Sequence, residues 1–361
     1  MIQKRHKKYN KLKVEKKINK NKSIYEIGLG FLRIYLSFTV VVGHCNSNKS
    51  KLILWLHKKG FLLYHVRTFT IMSFYFLYNT LSSLNRKKIF QRFIRLFVPY
   101  ILWPIIIFCL NNYILNKFIK IEYKYKYRHL IEQILKGSKM MPILWYQYNL
   151  IFITFLFVLI IFIFRKHHKF VLALLAIKAL DFQYTGKNWK YFSKLKSPDT
   201  YTYGRILEII PFSVIGYLIA SYNIINFIKN NKLKTIIVCG YSIYFLTNNN
   251  IFVNNRGFIY NGLKFYFETI CAFFIFFSFP SEKIKNKTVI KIIKIITGHT
   301  GGVYYLHLSV NRYFKNYIKP IGKGTTKGSV IIYLICYIIC FIGKIYNFKT
   351  VIIYITIYIL I

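Results

Sequence analysis

Residues 142–164 read PILWYQYNLIFITFLFVLIIFIF, a run of 23 positions without a charged side chain. Wound as an α-helix, such a stretch rises about 34 Å, enough to cross a bilayer hydrocarbon core of about 30 Å. Windows of similar character recur near 24–45, 63–83, 93–115, 169–184, 204–224, 233–248, 259–281, 295–318 and 328–345. The pattern predicts an all-α, polytopic transmembrane bundle of about ten helices with no soluble catalytic domain. The last stretch, 350–361, is short for a span and reads as an interfacial or truncated segment, with an eleventh helix as the alternative.

The whole chain agrees with that reading. Of its 361 residues, 55% are hydrophobic, 19% aromatic and 17% charged, against about 25% charged in a soluble domain. The apolar mass excludes disorder, and the length excludes a disulfide mini-scaffold. Lys and Arg number 54 against nine acidic residues, a formal +45. A nucleic-acid partner is nevertheless not expected: Lys, Asn, Ile, Tyr and Phe are inflated together, and the basic residues spread through loops rather than gather on one face.

The basic residues bear on orientation instead. Residues 1–23 hold ten Lys/Arg, too long and too charged a run to begin a cleaved signal. They form a basic arm before an uncleaved anchor helix. With that arm in the cytoplasm, 84–92, 165–169, 228–234 and 282–294 are cytoplasmic and dense in Lys/Arg, as the positive-inside rule requires. The opposite set, such as 116–141 and 185–203, is longer and also basic. The domain plan is therefore a basic arm (1–23), one transmembrane domain (24–345) and a short apolar end (346–361).

Charged and polar groups inside such spans carry the chemical information, because burying them unpaired costs several kcal/mol. The first helix contains GLGFLRIYLSFTVVVGHC (28–45). Arg33 and His44 lie eleven steps apart, three turns plus 20°, so both face one direction about 16 Å apart along the axis. That geometry suits a channel joining two compartments; the simpler alternative is a snorkelling arginine and an interfacial histidine. Glu268 lies among apolar neighbours and needs a partner, either a catalytic group such as Arg33 or a histidine, or a structural hydrogen bond. Arg205 and Glu208 are three apart, as a local ion pair would be.

The six cysteines (45, 109, 239, 271, 336 and 340) lie in or beside apolar segments and read as small buried residues. Cys45 beside His44 invites an acyl-cysteine relay, but adjacent helical residues point about 100° apart. His167 and His168 sit in a basic loop without further ligands at zinc spacing, so no metal is expected.

Several fragments, in order, resemble the membrane-bound acyltransferase family 3. They are the Arg33/His44 pair, FTIMSFYF (69–76) with Phe74 where the family has Gly, and RFIRLFVPYILWP with Arg92, Arg95, Pro99 and Tyr100. LWYQYNL (144–150), GRILEIIPFSVIGYLIA (204–220), and TGGVYYLHLSV with Tyr304, Tyr305 and His307 complete the set. One departure is Gly30, where relatives often carry an acidic residue; Glu26 stands one turn earlier.

The resemblance implies acyl transfer, usually acetyl, from cytoplasmic acetyl-CoA to a hydroxyl of a carbohydrate or glycolipid acceptor. His44 is then the candidate base, since a hydroxyl needs its proton removed as it attacks. Arg92 and Arg95 are candidates for the donor's phosphates. Arg33 would receive the pantetheine or pyrophosphate end or steady the thioester oxyanion. Glu268 completes the first tier. Glu208, Arg205, Tyr304, His307 and Trp145 form a second, Trp145 being equally an interfacial-belt residue. A transporter or flippase of a lipid-linked saccharide is the alternative, although no repeated halves are visible.

Overall fold

The structure is a computed structural model that describes residues 27–42, 44, 65–109, 112–113, 126–137, 144–184, 198–248, 263–279, 284, 286–317 and 326–345. Its first helix, α1, is Ile27–Val42. There follow α2 (His65–Ser82), α3 (Arg86–Cys109), α4 (Tyr127–Lys136), α5 (Trp145–Phe164), α6 (His168–Tyr184) and α7 (Pro198–Ser221). The chain continues with α8 (Ile224–Asn230), α9 (Lys232–Asn248), α10 (Leu263–Phe277), α11 (Lys287–Tyr317) and α12 (Thr326–Ile345). No strand occurs among the described residues, and the all-α bundle stands.

By length and composition two runs, Arg86–Cys109 and Trp145–Phe182, are apolar enough to cross a membrane, the second holding α5 and α6 joined at a turn. The pair Arg205–Ser221 and Ile224–Asn230, bent by 68°, makes a third if counted as one span. Ile27–Val42, Phe265–Phe277 and Gly328–Phe341 are shorter apolar helices. The basic arm 1–23 and the end 346–361 lie outside the described residues.

Several expected loops are helical. α3 begins at Arg86 and α11 at Lys287, inside segments expected to be connections, because Lys and Arg are good helix formers whose stems pack while their heads reach water. α4 lies within 116–141, and α7 starts at Pro198 within 185–203; Pro suits a first helical turn. The basic 165–169 segment is a tight 3-10 turn (Arg165–His167) with Arg165 at φ 29°. Contacts fix its sense. Trp145 and Phe157 of α5 meet Arg205 and Tyr217 of α7 in the same order, whereas His168, opening α6, meets Tyr217 near the end of α7. α5 and α6 are therefore an antiparallel hairpin against α7.

The α2–α7 pair divides the core. On one side Phe74, Leu77 and Leu81 pack with Ile153, Phe157 and Leu172 of the hairpin. On the other, Ile71, Met72 and Phe212 pack with Leu29, Leu32 and Leu36 of α1 and with Phe265 and Phe273 of α10. The two helices touch backbone to backbone at Gly216, where a Cβ would overlap the Ile71 main chain. Close approach through a small residue is the usual route to tight helix packing in lipid. Gly30 has a similar reason: a Cβ there would stand 3.0 Å from Ile293 and Thr297 of α11.

Candidate functional site

Arg67, Thr70, Ser73 and Phe76 are spaced by three along α2, a row that climbs about 4.5 Å per step while winding round the helix. Each meets a polar group from another helix. Arg67, 4% exposed, forms an ion pair with Glu208 of α7 and lies 4.0 Å over the Phe265 ring of α10. Glu208 also accepts from Arg205 Nη1 at 3.0 Å. The Arg205 guanidinium stands 5.0 Å over the Trp145 ring, opening α5. The Tyr146 hydroxyl lies beside Thr70. Arg92 of α3 donates to Ser73 Oγ, and Arg33 of α1 stands 5.9 Å from the Phe76 ring.

His44 lies three turns beyond Arg33, just past the last residue of α1. There the exposed His44 ring lies 5.1 Å from the His307 ring of α11, tilted by 38°. Asn311 Nδ2 donates to the His44 carbonyl at 3.2 Å. His307 is fully buried, and its Nδ1 donates to the Tyr304 carbonyl at 2.7 Å. The Tyr304 ring lies 6.1 Å from His307 and 6.1 Å from Tyr146. Next along α11, the Tyr305 hydroxyl donates to Gln147 Oε1 at 2.5 Å while Trp103 of α3 stacks on its ring at 5.4 Å. Gln147 Nε2 passes the chain on to the Leu96 carbonyl at 2.5 Å.

Six of the sequence candidates thus come together. His44, His307 and Tyr304 form one limb, Trp145, Arg205 and Glu208 the other, and Tyr146 joins them, its ring 6.0 Å from Trp145. Arg33 and Arg92 approach α2 one turn apart, at Phe76 and Ser73. Arg92 and Arg95 part company: Arg92 turns inward, with its Nε buried and lacking a hydrogen-bond partner among the described residues, while Arg95 is exposed. Glu268, 2% exposed, sits one turn after Phe265 in α10. Arg33 and His44 touch different helices, α2 and α11. Cys45 and Glu26 lie outside the described residues.

Arg67, Tyr146, Ser73 and Gln147 were not singled out from the sequence. A signal for Arg67 was present, a lone charge inside the apolar window 63–83 that demanded a partner. Asn149 is another: it lies one turn beyond Trp145, fully buried, with neither amide atom hydrogen-bonded among the described residues. His168, expected in a loop, turns inward so that its Nε2 lies 3.0 Å from the Tyr217 hydroxyl. Among the described residues no three His, Cys, Asp or Glu side chains are placed to hold a metal.

Helices of this kind, with charge and imidazole carried on their inner faces, define a membrane-associated protein whose core gathers polar side chains from several helices. The family model for acyltransferase family 3, an acyltransferase domain, matches residues 26–347. The chain belongs to that family and is an acyltransferase of the non-aminoacyl kind. Curated proteins and solved structures gave no match.

Proposed function

We propose that this protein is a multi-pass membrane O-acyltransferase with a cytoplasmic N-terminus. It moves an acetyl group from cytoplasmic acetyl-CoA to a hydroxyl of a carbohydrate or glycolipid acceptor. The observation that carries the reading is the convergence of His44, His307, Tyr304, Trp145, Arg205 and Glu208 from four helical segments within a chain of this family.

His44 takes the proton of the acceptor hydroxyl as its oxygen attacks the thioester carbonyl. The carbon–sulfur bond then breaks, and the leaving thiolate recovers the proton from the imidazolium, which returns His44 to its neutral form. Arg92 binds the phosphate-bearing end of the donor through its forked guanidinium, with Arg95 at the surface guiding entry. Arg33, a turn away along α2, takes the pantetheine or pyrophosphate end or supports the oxyanion. Trp145 offers a flat face for a sugar ring.

The test uses purified protein in detergent with radiolabelled acetyl-CoA and a panel of oligosaccharides. Label on an oligosaccharide is expected. Unmodified saccharide crossing liposomes with no label transferred would replace this reading with a transporter.

A further inference from the structure

We propose that His307 is the positioning residue for His44: its Nε2 accepts the N–H of the His44 ring and so turns the other His44 nitrogen toward the acceptor hydroxyl. This rests on the reading of His44 as the base.

The geometry comes from three contacts. His307 is held from behind, because its Nδ1 donates to the Tyr304 carbonyl at 2.7 Å. In the neutral imidazole that donor role assigns the proton to Nδ1 and makes Nε2 the acceptor. The His307 ring is fully buried, whereas His44 is exposed at the end of α1. Their centroids are 5.1 Å apart. Two imidazoles sharing an N–H···N bond of about 2.9 Å have centroids near that separation. With 38° between the ring planes, a rotation of the exposed His44 side chain closes the bond, as catalytic hydrogen bonds often tighten only in the substrate complex. Asn311 holds the His44 main chain from the next turn of α11, so one helix fixes both the backbone and the ring.

The consequence is a division of labour. A histidine base acts through one nitrogen, and its second nitrogen must be anchored for the first to point correctly; a wrong tautomer costs orders of magnitude in rate. In the transfer step the acceptor proton goes to the free His44 nitrogen, the ester bond forms as the carbon–sulfur bond breaks, and the thiolate takes that proton. His307 gains and loses none. It stabilises the transient imidazolium by accepting its other N–H.

Two near-isosteres separate this role from packing. In His307→Asn the amide nitrogen replaces Nδ1 and keeps the Tyr304 bond, but nothing accepts from His44. In His307→Gln the amide oxygen falls near Nε2 and can accept. With radiolabelled acetyl-CoA and the oligosaccharide that takes most label, Asn is expected to lower kcat about 100-fold, with both KM values within about twofold. Gln is expected to stay within about tenfold of the parent.

Asn at parental rate, or a loss carried by KM, overturns the proposal. So does failure of both variants to insert, which assigns His307 to packing. His44→Ala is run alongside. An active His44→Ala removes the base itself, whereas an inactive His44→Ala with a fully active His307→Asn removes only the positioning role.

Discussion

Arg67 of α2 and Glu208 of α7, 141 residues apart in the chain, form an ion pair whose side chains are 5% and 11% exposed. Glu208 is shared with Arg205, so two guanidiniums lean on one carboxylate in a chain with only nine acidic residues. The Arg67 guanidinium also lies over Phe265 and Phe212, and cation–π attraction strengthens in such dry surroundings. The pair ties the two helices that divide the core at the end where the candidate site lies.

Removing one member of a buried pair leaves the other charge uncompensated, a loss of about 3–5 kcal/mol. Glu208→Gln is therefore expected to lower the melting temperature in detergent sharply. Arg67→Met combined with Glu208→Leu should recover part of the stability, because it removes both charges of the buried pair and takes this carboxylate only from Arg205, whose side chain is 23% exposed. A double variant no better than Glu208→Gln would show that packing, not charge, governs this contact.

Gly216 should not accept a side chain. Valine there would drive α7 off the Ile71 main chain of α2, with an overpacking cost of about 1–3 kcal/mol or more. Gly240 in α9 has nothing within 4 Å of a built Cβ, so Gly240→Ala is the matched control and is expected to be neutral or mildly stabilising. Melting curves of the two variants provide the check.

Asn149 is the polar shape of a leucine in a dry core. Asn149→Leu removes two buried amide atoms that lack hydrogen-bond partners among the described residues, and is expected to stabilise the protein by about 1–3 kcal/mol. A drop in melting temperature would mean that the amide has a partner in the working protein.

The two arginines of α3 should behave differently. Arg92→Gln is expected to raise the acetyl-CoA KM about tenfold or more, corresponding to about 1.4 kcal/mol. Arg95→Gln, whose side chain is exposed, should change it about twofold at low salt and less at high salt. Initial rates against donor concentration separate them, and equal effects would return both to plain surface charge.

His44→Ala is expected to lower acetyl transfer at least about 100-fold while the protein still inserts and melts normally. Its exposed side chain contributes little to the core, which makes a loss of activity readable as chemistry.

Read from composition and periodicity alone, the helical class and most helix positions were already determined, because hydrocarbon accepts long stretches only when they are apolar and satisfy their own backbone bonds. The family was legible too, since its motifs sit on successive helices from Arg33 to His307. What failed locally were helix ends at Arg86, Lys287 and Pro198, where nothing in a hydropathy window tells a charged helical turn from a loop.

Partnership was decided only by the tertiary structure. Sequence spacing linked Arg205 with Glu208 because they share one helix, but Arg67 was invisible as the second cation until α2 lay against α7. His44 and His307 are 263 positions apart, and no periodicity joins them; the packing of α1 on α11, permitted by the small Gly30, brings the rings to 5.1 Å. Local pattern records what one helix needs from its solvent. Which charge meets which, and which nitrogen faces which, depends on how the helices cross, and that is set by shape over the whole bundle.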